Sequence, residues 1–138
     1  MSQNVFEQVV TCVVTNEEPV TCLASTPVAA VLATMREHRI GCVIIGSLGT
    51  VDGIFTERDY LMKPLPEGTA LNAVPISDLM VKNPMCLRED STLKQAILMM
   101  RVGRFRHIPI LDQKGRLKCV VSVRDIVNFV ADAFSLQT

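Results

Sequence analysis

The sequence predicts a mixed α/β (α+β) fold of two β-α-β-β-α units related by a pseudo-twofold axis. Two observations carry that expectation. The first is an internal repeat. The stretch Gly53–Asp59, "GIFTERD", returns as Cys119–Asp125, "CVVSVRD", with the Arg-Asp pairs 66 positions apart in a chain of 138 residues. Placing Pro19 on Pro84, an offset of 65, lays "PVTCLASTPVAAVLATMREHRI" over "PMCLREDSTLKQAILMMRVGRF", and one extra residue between Leu111 and Gly115 shifts the offset to 66. The second is that helix-start signals recur at matched places in both copies.

The copies run roughly 19–63 and 84–134, joined by a stretch carrying Pro64, Pro66, Gly68 and Pro75. Each opens with a short strand after its proline, Val20 to Leu23 and Met85 to Leu87. A helix follows. In the first copy Thr26 is the expected N-cap with Pro27 at the first helical position, where its missing N–H costs nothing. In the second copy Ser91 is the expected cap. Apolar residues then recur at helical spacing, Val28, Val31, Leu32 and Met35, and again Leu93, Ile97 and Met100. Gly41 and Gly103 mark the helix ends. Two strands come next, Cys42–Ile45 with Gly53–Phe55, and Ile108–Leu111 with Leu117–Val121, joined by turns at 47–49 and 112–115. Pro109 in its apolar run suggests an edge strand or a bulge. A final helix starts at Thr56 or Ser122. In the second copy it carries Ile126, Val127, Phe129, Val130, Ala133 and Phe134, wider than one stripe, so it has more than one partner. Units of roughly 50 residues are marginal alone and gain by burying their apolar faces together. The expected division is residues 1–70 for the first unit with its lead-in and 71–138 for the second, together one module.

Composition excludes several function classes. Lys+Arg and Asp+Glu are both 14, so no net charge gathers nucleic acid or anionic lipid. Aromatics are few and Trp is absent, which leaves little for base stacking. No nucleic-acid or membrane partner is expected: no apolar run approaches the ~20 residues of a membrane span, and "MSQNVFEQ" does not read as a signal peptide. Cys12, Cys22, Cys42, Cys86 and Cys119 are odd in number, form no C-x-x-C and sit mostly in apolar runs. They read as reduced thiols of a cytoplasmic protein. No metal-ligand cluster and no nucleophile-base-orienter set is visible, so no metal, no catalytic residue and no cofactor is expected.

The Thr56-x-x-Asp59 and Ser122-x-x-Asp125 spacings fit two roles. One is a capping box, with the hydroxyl accepting from the N3 amide and the acid reaching back, worth about 1 kcal/mol. The other is a ligand site. A strand ending at a helix N-terminus exposes amides suited to an anion, and a carboxylate there can accept two hydroxyl donors such as a ribose diol. The second copy adds Arg104, Arg106 and His107, where the first has Ile40, Gly41 and Cys42 opposite Phe105, Arg106 and His107.

The element order and the double G-h-h-T-x-x-D and h-h-S-x-R-D endings resemble a tandem pair of CBS (cystathionine-β-synthase) domains, the Bateman module. "ISDLMVKNPM" and "RFRHIPILDQKGRLKCVVSVRDIV" match the same family, and the resemblance covers nearly the whole chain. It implies a non-catalytic regulatory module that binds adenosine-containing ligands (AMP, ADP, ATP or S-adenosylmethionine) in clefts between the units. It also implies a homodimer that passes ligand occupancy to a regulated protein. By resemblance, Asp125 and Asp59 hold ribose, Ser122 and Thr56 lie near phosphate, and Arg106 and His107 contact phosphate. Ile108 would wall the base, and Gly53 would let backbone approach the ligand. Cys119 replaces that glycine in the second copy, so the two clefts are expected to be unequal. The competing expectation is a non-binding pair acting as a structural or protein-interaction module; an enzyme is a distant third.

Overall fold

The computed structural model describes residues 2–14, 18–63 and 65–136; Pro64, one of the connecting prolines, lies outside them. The chain divides into two compact units, Pro19–Pro84 and Met1–Glu18 with Met85–Thr138. The first-repeat unit holds a four-stranded sheet in the order β1-β2-β3-β4. Its elements are β1 (Thr21–Cys22), α1 (Val28–His38), β2 (Cys42–Ile45), β3 (Gly53–Thr56), α2 (Glu57–Met62) and β4 (Val81–Lys82). The second-repeat unit holds a three-stranded sheet in the order β5-β6-β7. Its elements are β5 (Leu87–Arg88), α3 (Leu93–Gly103), β6 (His107–Leu111), β7 (Leu117–Ser122) and α4 (Val123–Ala133). In each sheet the first strand runs parallel to the second and the second antiparallel to the third. The mixed α+β architecture with a repeated β-α-β-β-α order is as expected from the repeat.

Packing divides the chain differently from the expected split at 70/71. The lead-in before each repeat docks on the other repeat's strands and helix, by matched bonds. In one unit the Val10 amide donates to Ser91 O at 2.7 Å and the Leu93 amide to Gln8 O at 2.8 Å. In the other, the Ile76 amide donates to Thr26 O at 2.7 Å and the Val28 amide to Val74 O at 2.8 Å. Isolated bridges Val9–Thr92 and Pro27–Pro75 complete the match. The reason is burial. Val10 and Ile76 begin 3-10 turns (Val10–Val13 and Ile76–Asp78) and are fully buried. Val10 and Val13 pack with Leu93, Ala96, Ile108 and Val121, and Ile76 and Leu79 pack with Val28, Val31, Val43 and Phe55.

The same contacts correct the expected caps. In α1 the N-cap is Pro27, without a side-chain bond, because Val74 O already takes the first helical amide. In α3 the cap is Thr92 rather than Ser91. Its hydroxyl accepts from the Gln95 amide at 3.2 Å, and Gln95 Oε1 accepts from the Thr92 amide at 2.8 Å. Gln95 stands three residues after Thr92, whereas Lys94, three after Ser91, has no oxygen to return. The left-handed C-cap positions belong to arginines, Arg39 at φ 54° and Arg104 at φ 58°, rather than to the expected glycines. Gly103 closes α3 for a different reason: a β-carbon there would meet the Phe105 ring, with Cδ2 at 2.7 Å.

Pro109 lies in the middle strand β6, not on an edge, with a register shift after it between Ile110 and Leu111. Its first-copy counterpart Ile44 donates its amide to Val20 O at 3.0 Å. Proline has no such donor. The strand β5 accordingly starts only at Leu87.

Candidate functional site

Both repeats end in a strand that runs directly into a helix, and at both junctions a capping box forms. At α2, Asp59 Oδ2 accepts from the Thr56 amide at 3.0 Å and from the Thr56 hydroxyl at 3.0 Å, while the Asp59 amide donates to Thr56 Oγ1 at 3.2 Å. At α4, Asp125 Oδ2 accepts from the Ser122 amide at 2.9 Å and the Asp125 amide donates to Ser122 Oγ at 3.0 Å. The two boxes differ in one bond. The Thr56 hydroxyl proton is spent on Asp59 Oδ2, whereas the Ser122 hydroxyl proton has no acceptor among the described residues; in both boxes the aspartate Oδ1 has no donor among them.

The helix N-termini are less open to an anion than the spacing suggested. The first helical amide is taken at both junctions by the residue just ahead of the neighbouring strand, β6 or β2: Val123 donates to Arg106 O at 3.0 Å and Glu57 to Gly41 O at 3.1 Å. With the cap and N3 amides also bonded, only the Arg124 amide at α4 and the Arg58 amide at α2 lack a partner among the described residues. Helix α4 is eleven residues long and α2 six, so the dipole favours the second copy.

The surroundings are unequal as well. His107 pairs with Ser122 across β6 and β7, and Cys42 pairs with Thr56 at the matching register. Burial, helped by the Asp59 carboxylate, pushes the Cys42 thiol up to about 12. A thiol so held stays neutral and offers an anion nothing. Around the second box, Arg104, Arg106 and Arg124 are exposed. The ion pair formed among the described residues, Lys118 with Glu89, involves none of them. The fold therefore gathers Ser122, Asp125, Arg106 and His107 at one end of the second-repeat sheet, and Thr56 and Asp59 at the corresponding end of the first.

Two expected site residues are accounted for by packing instead. Ile108 is fully buried in the second-repeat core, so it has no surface to present to a ligand. Gly53 is small because Met80 lies against it: a β-carbon would meet the Met80 sulfur, its Cγ at 2.9 Å and Val81 O at 3.1 Å. The arginines Arg39 and Arg104 were missed as unusual positions. No sequence signal marks them, because glycine or asparagine is the ordinary left-handed cap. Among the described residues no group of His, Cys, Asp or Glu is placed to hold a metal ion, and no helix is long and apolar enough to cross a membrane.

The sequence profile of the CBS domain matches residues 10–65 and 76–132. The chain belongs to the CBS domain family. A CBS domain-containing protein of Arabidopsis thaliana is 28% identical over 129 residues, covering 93% of this chain and 23% of its own length. The chain thus spans about a quarter of that relative. A CBS-domain-containing protein from Agrobacterium tumefaciens has the same fold at a TM-score of 0.78 and 31% identity, covering 88% of this chain and 98% of that one. Two more distant CBS structures share the fold. A Pyrobaculum aerophilum protein complexed with AMP matches at a TM-score of 0.76 and 18% identity, over 90% of this chain and 98% of that one. A CBS domain pair in complex with 5′-methylthioadenosine and S-adenosyl-L-methionine matches at 0.75 and 20%, over 88% and 98%. In the CBS frame, both profile matches include the lead-in turns, Val10–Val13 and Ile76–Asp78, so each CBS sequence unit contributes its first segment to the other compact unit.

Proposed function

We propose that this CBS protein is a regulatory module that binds an adenosine-containing ligand at its second repeat and modulates a partner protein. One observation carries the reading: the second capping box keeps a hydroxyl proton on Ser122 and an oxygen on Asp125 uncommitted, beside the basic Arg106 and His107. A ribose diol donates to the free carboxylate oxygen. Phosphate takes the Ser122 hydroxyl, the Arg124 amide and the Arg106 guanidinium, whose fork of donors suits it. The AMP and S-adenosylmethionine complexes of distant CBS pairs support the ligand class. The first repeat is the weaker site, since its Thr56 hydroxyl proton is committed to Asp59 and no basic side chain stands at Gly41 or Cys42.

The module acts by binding rather than by catalysis. Burial raises all five thiols above their ordinary value, which leaves them poor nucleophiles. It works as a homodimer. Ile126, Phe129 and Val130, part of the stripe expected to drive dimerisation, pack on their own core. Val123 and Val127 on α4 and Phe134 at its C-cap remain exposed and supply the apolar surface. The test is a thermal-shift panel of AMP, ADP, ATP and S-adenosylmethionine. A shift with one or more that disappears in Asp125→Ala supports the reading, and no shift at millimolar ligand overturns it in favour of an interaction module without a ligand.

A further inference from the structure

The two strand-to-helix junctions carry opposite charge at the same spot, and a backbone bond fixes the correspondence. Glu57 donates its amide to Gly41 O at 3.1 Å, as Val123 does to Arg106 O at 3.0 Å. Gly41 therefore stands where Arg106 does, and Glu57 where Val123 does. The basic member of the second pair lies just ahead of β6, and the acidic member of the first opens α2. The pairs differ by two formal charges, +1 for Arg106 with Val123 against −1 for Gly41 with Glu57.

Neighbouring charges do not offset this difference. Arg36, Arg39, Arg58 and Asp59 have Arg101, Arg104, Arg124 and Asp125 at the matching positions of the second repeat, so they count alike at both junctions. Cys42, in the place of His107, is a neutral thiol. Glu57 is exposed and forms no ion pair among the described residues. Its carboxylate is turned over Gly41 instead, with Oε1 3.5 Å and Cδ 3.6 Å from where a β-carbon would stand. The negative charge thus sits where the second repeat carries the root of a guanidinium side chain. A phosphate brought to the Thr56–Asp59 box meets that carboxylate at close range, and like charges a few Å apart repel even in water.

We propose that Glu57 is a specificity-determining residue, which turns phosphorylated ligands away from the first repeat and leaves them to the second. The inference rests on the reading of the Ser122–Asp125 box as the nucleotide site. It goes further in giving the first repeat an active selector rather than only a missing contact, and a ligand without phosphate is not opposed by it.

The test is calorimetric titration of AMP into the full chain, with 15N amide shifts to place the bound nucleotide. The wild type is expected to take up one AMP, shifting Arg124 and Asp125 and leaving Arg58 and Asp59 still. Glu57→Gln keeps the shape of the side chain and removes its charge. It should raise the affinity of the first repeat for AMP about tenfold, a factor that shrinks with added salt. Gly41 is not at positive φ, and the nearest atoms a β-carbon would meet are those of the Glu57 side chain, at 3.5 Å or more, so the backbone accepts Gly41→Arg. Combined with Glu57→Gln, that substitution should give two AMP per chain, the second shifting Arg58 and Asp59. Adenosine, which lacks the phosphate, should bind the wild type and Glu57→Gln alike. An acid in the first helical turn also favours the helix dipole. A lower Tm for Glu57→Gln with unchanged AMP uptake would therefore make Glu57 a structural residue only and overturn the proposal. Two equal AMP sites in the wild type would overturn it, as would a single site in the double variant. If the wild type takes up no AMP and the double variant does, the nucleotide reading of the second repeat falls and the role of Glu57 stands; if neither does, both fall.

Discussion

Met80 lies directly against Gly53, and the pair at the matching positions of the second repeat, Val14 and Cys119, divides the bulk between lead-in and strand. Gly53 has no room for a β-carbon because the Met80 side chain occupies it. Cys119 is buried and Val14 packs on the same core. In one unit the lead-in methionine supplies all the bulk beside a bare glycine; in the other a shorter lead-in valine leaves room for a thiol on the strand.

Gly53→Cys, the residue of the other repeat, therefore overpacks the site and is expected to destabilise by about 1–3 kcal/mol. Met80→Val alone leaves a gap and costs less. The double substitution recovers most of the loss, a coupling that a denaturant-melt double-mutant cycle measures. If the two effects simply add, the packing explanation for Gly53 is wrong and a ligand role returns.

Asp125 separates capping from binding. Asp125→Ala removes a reciprocal cap and lowers stability by about 1 kcal/mol. In the wild type, ligand at 100 times its dissociation constant adds about 2.7 kcal/mol, a rise of several degrees in Tm. The expected outcome is a lower starting Tm and no ligand response. A preserved response would reduce Asp125 to a cap. Asp59→Ala repeats the stability loss with little effect on the response.

Arg106→Gln tests the phosphate contact. The side chain is exposed, so stability should change by no more than about 0.5 kcal/mol. Affinity for a phosphorylated ligand falls, and the remaining affinity depends less on salt. S-adenosylmethionine, which has no phosphate, would lose less. Equal losses for both ligands would place Arg106 elsewhere.

The Cys42 thiol makes stability fall in alkali. Its folded pKa is raised to about 12, by burial first and then by Asp59, above the ordinary 9.0. Between those values the unfolded chain has released the proton and the folded chain keeps it. The unfolded state therefore binds fewer protons, and stability declines as pH rises through that window, with a limit near 1.4 kcal/mol per unit for one thiol. Urea melts at pH 8 and 10.5 should show a smaller drop for Cys42→Ala than for the wild type. An unchanged drop would assign it to other groups.

Self-association is tested at α4. Val127 is 58% exposed on the same face as Val123 and Phe134, so Val127→Glu should leave the monomer fold intact and break a dimer. Light scattering at micromolar concentration is expected to give twice the 15.2 kDa chain mass for the wild type and one chain mass for the variant. A monomeric wild type ends the dimer proposal.

The sequence by itself determined the parts whose physics is local. The 65- and 66-residue offsets located both repeats. Thr56-x-x-Asp59 and Ser122-x-x-Asp125 specified their capping boxes, because a hydroxyl and an acid three residues apart satisfy each other whatever surrounds them. The cap of α3 was legible too, in Thr92-x-x-Gln95, and was misplaced by one residue because Ser91 is also a good cap. Tertiary structure alone decided which repeat each lead-in joins. Val10 and Ile76 are apolar in either arrangement, and only the shape of the core they enter discriminates. It also gave Gly53 and Ile108 packing roles, one against Met80 and the other inside the second-repeat core. A glycine reads alike whether a ligand or a methionine fills its space, and an isoleucine whether it faces a ligand or a core. It left the Ser122 hydroxyl free while committing that of Thr56, a difference of one hydrogen bond set by side-chain geometry that residue types do not encode.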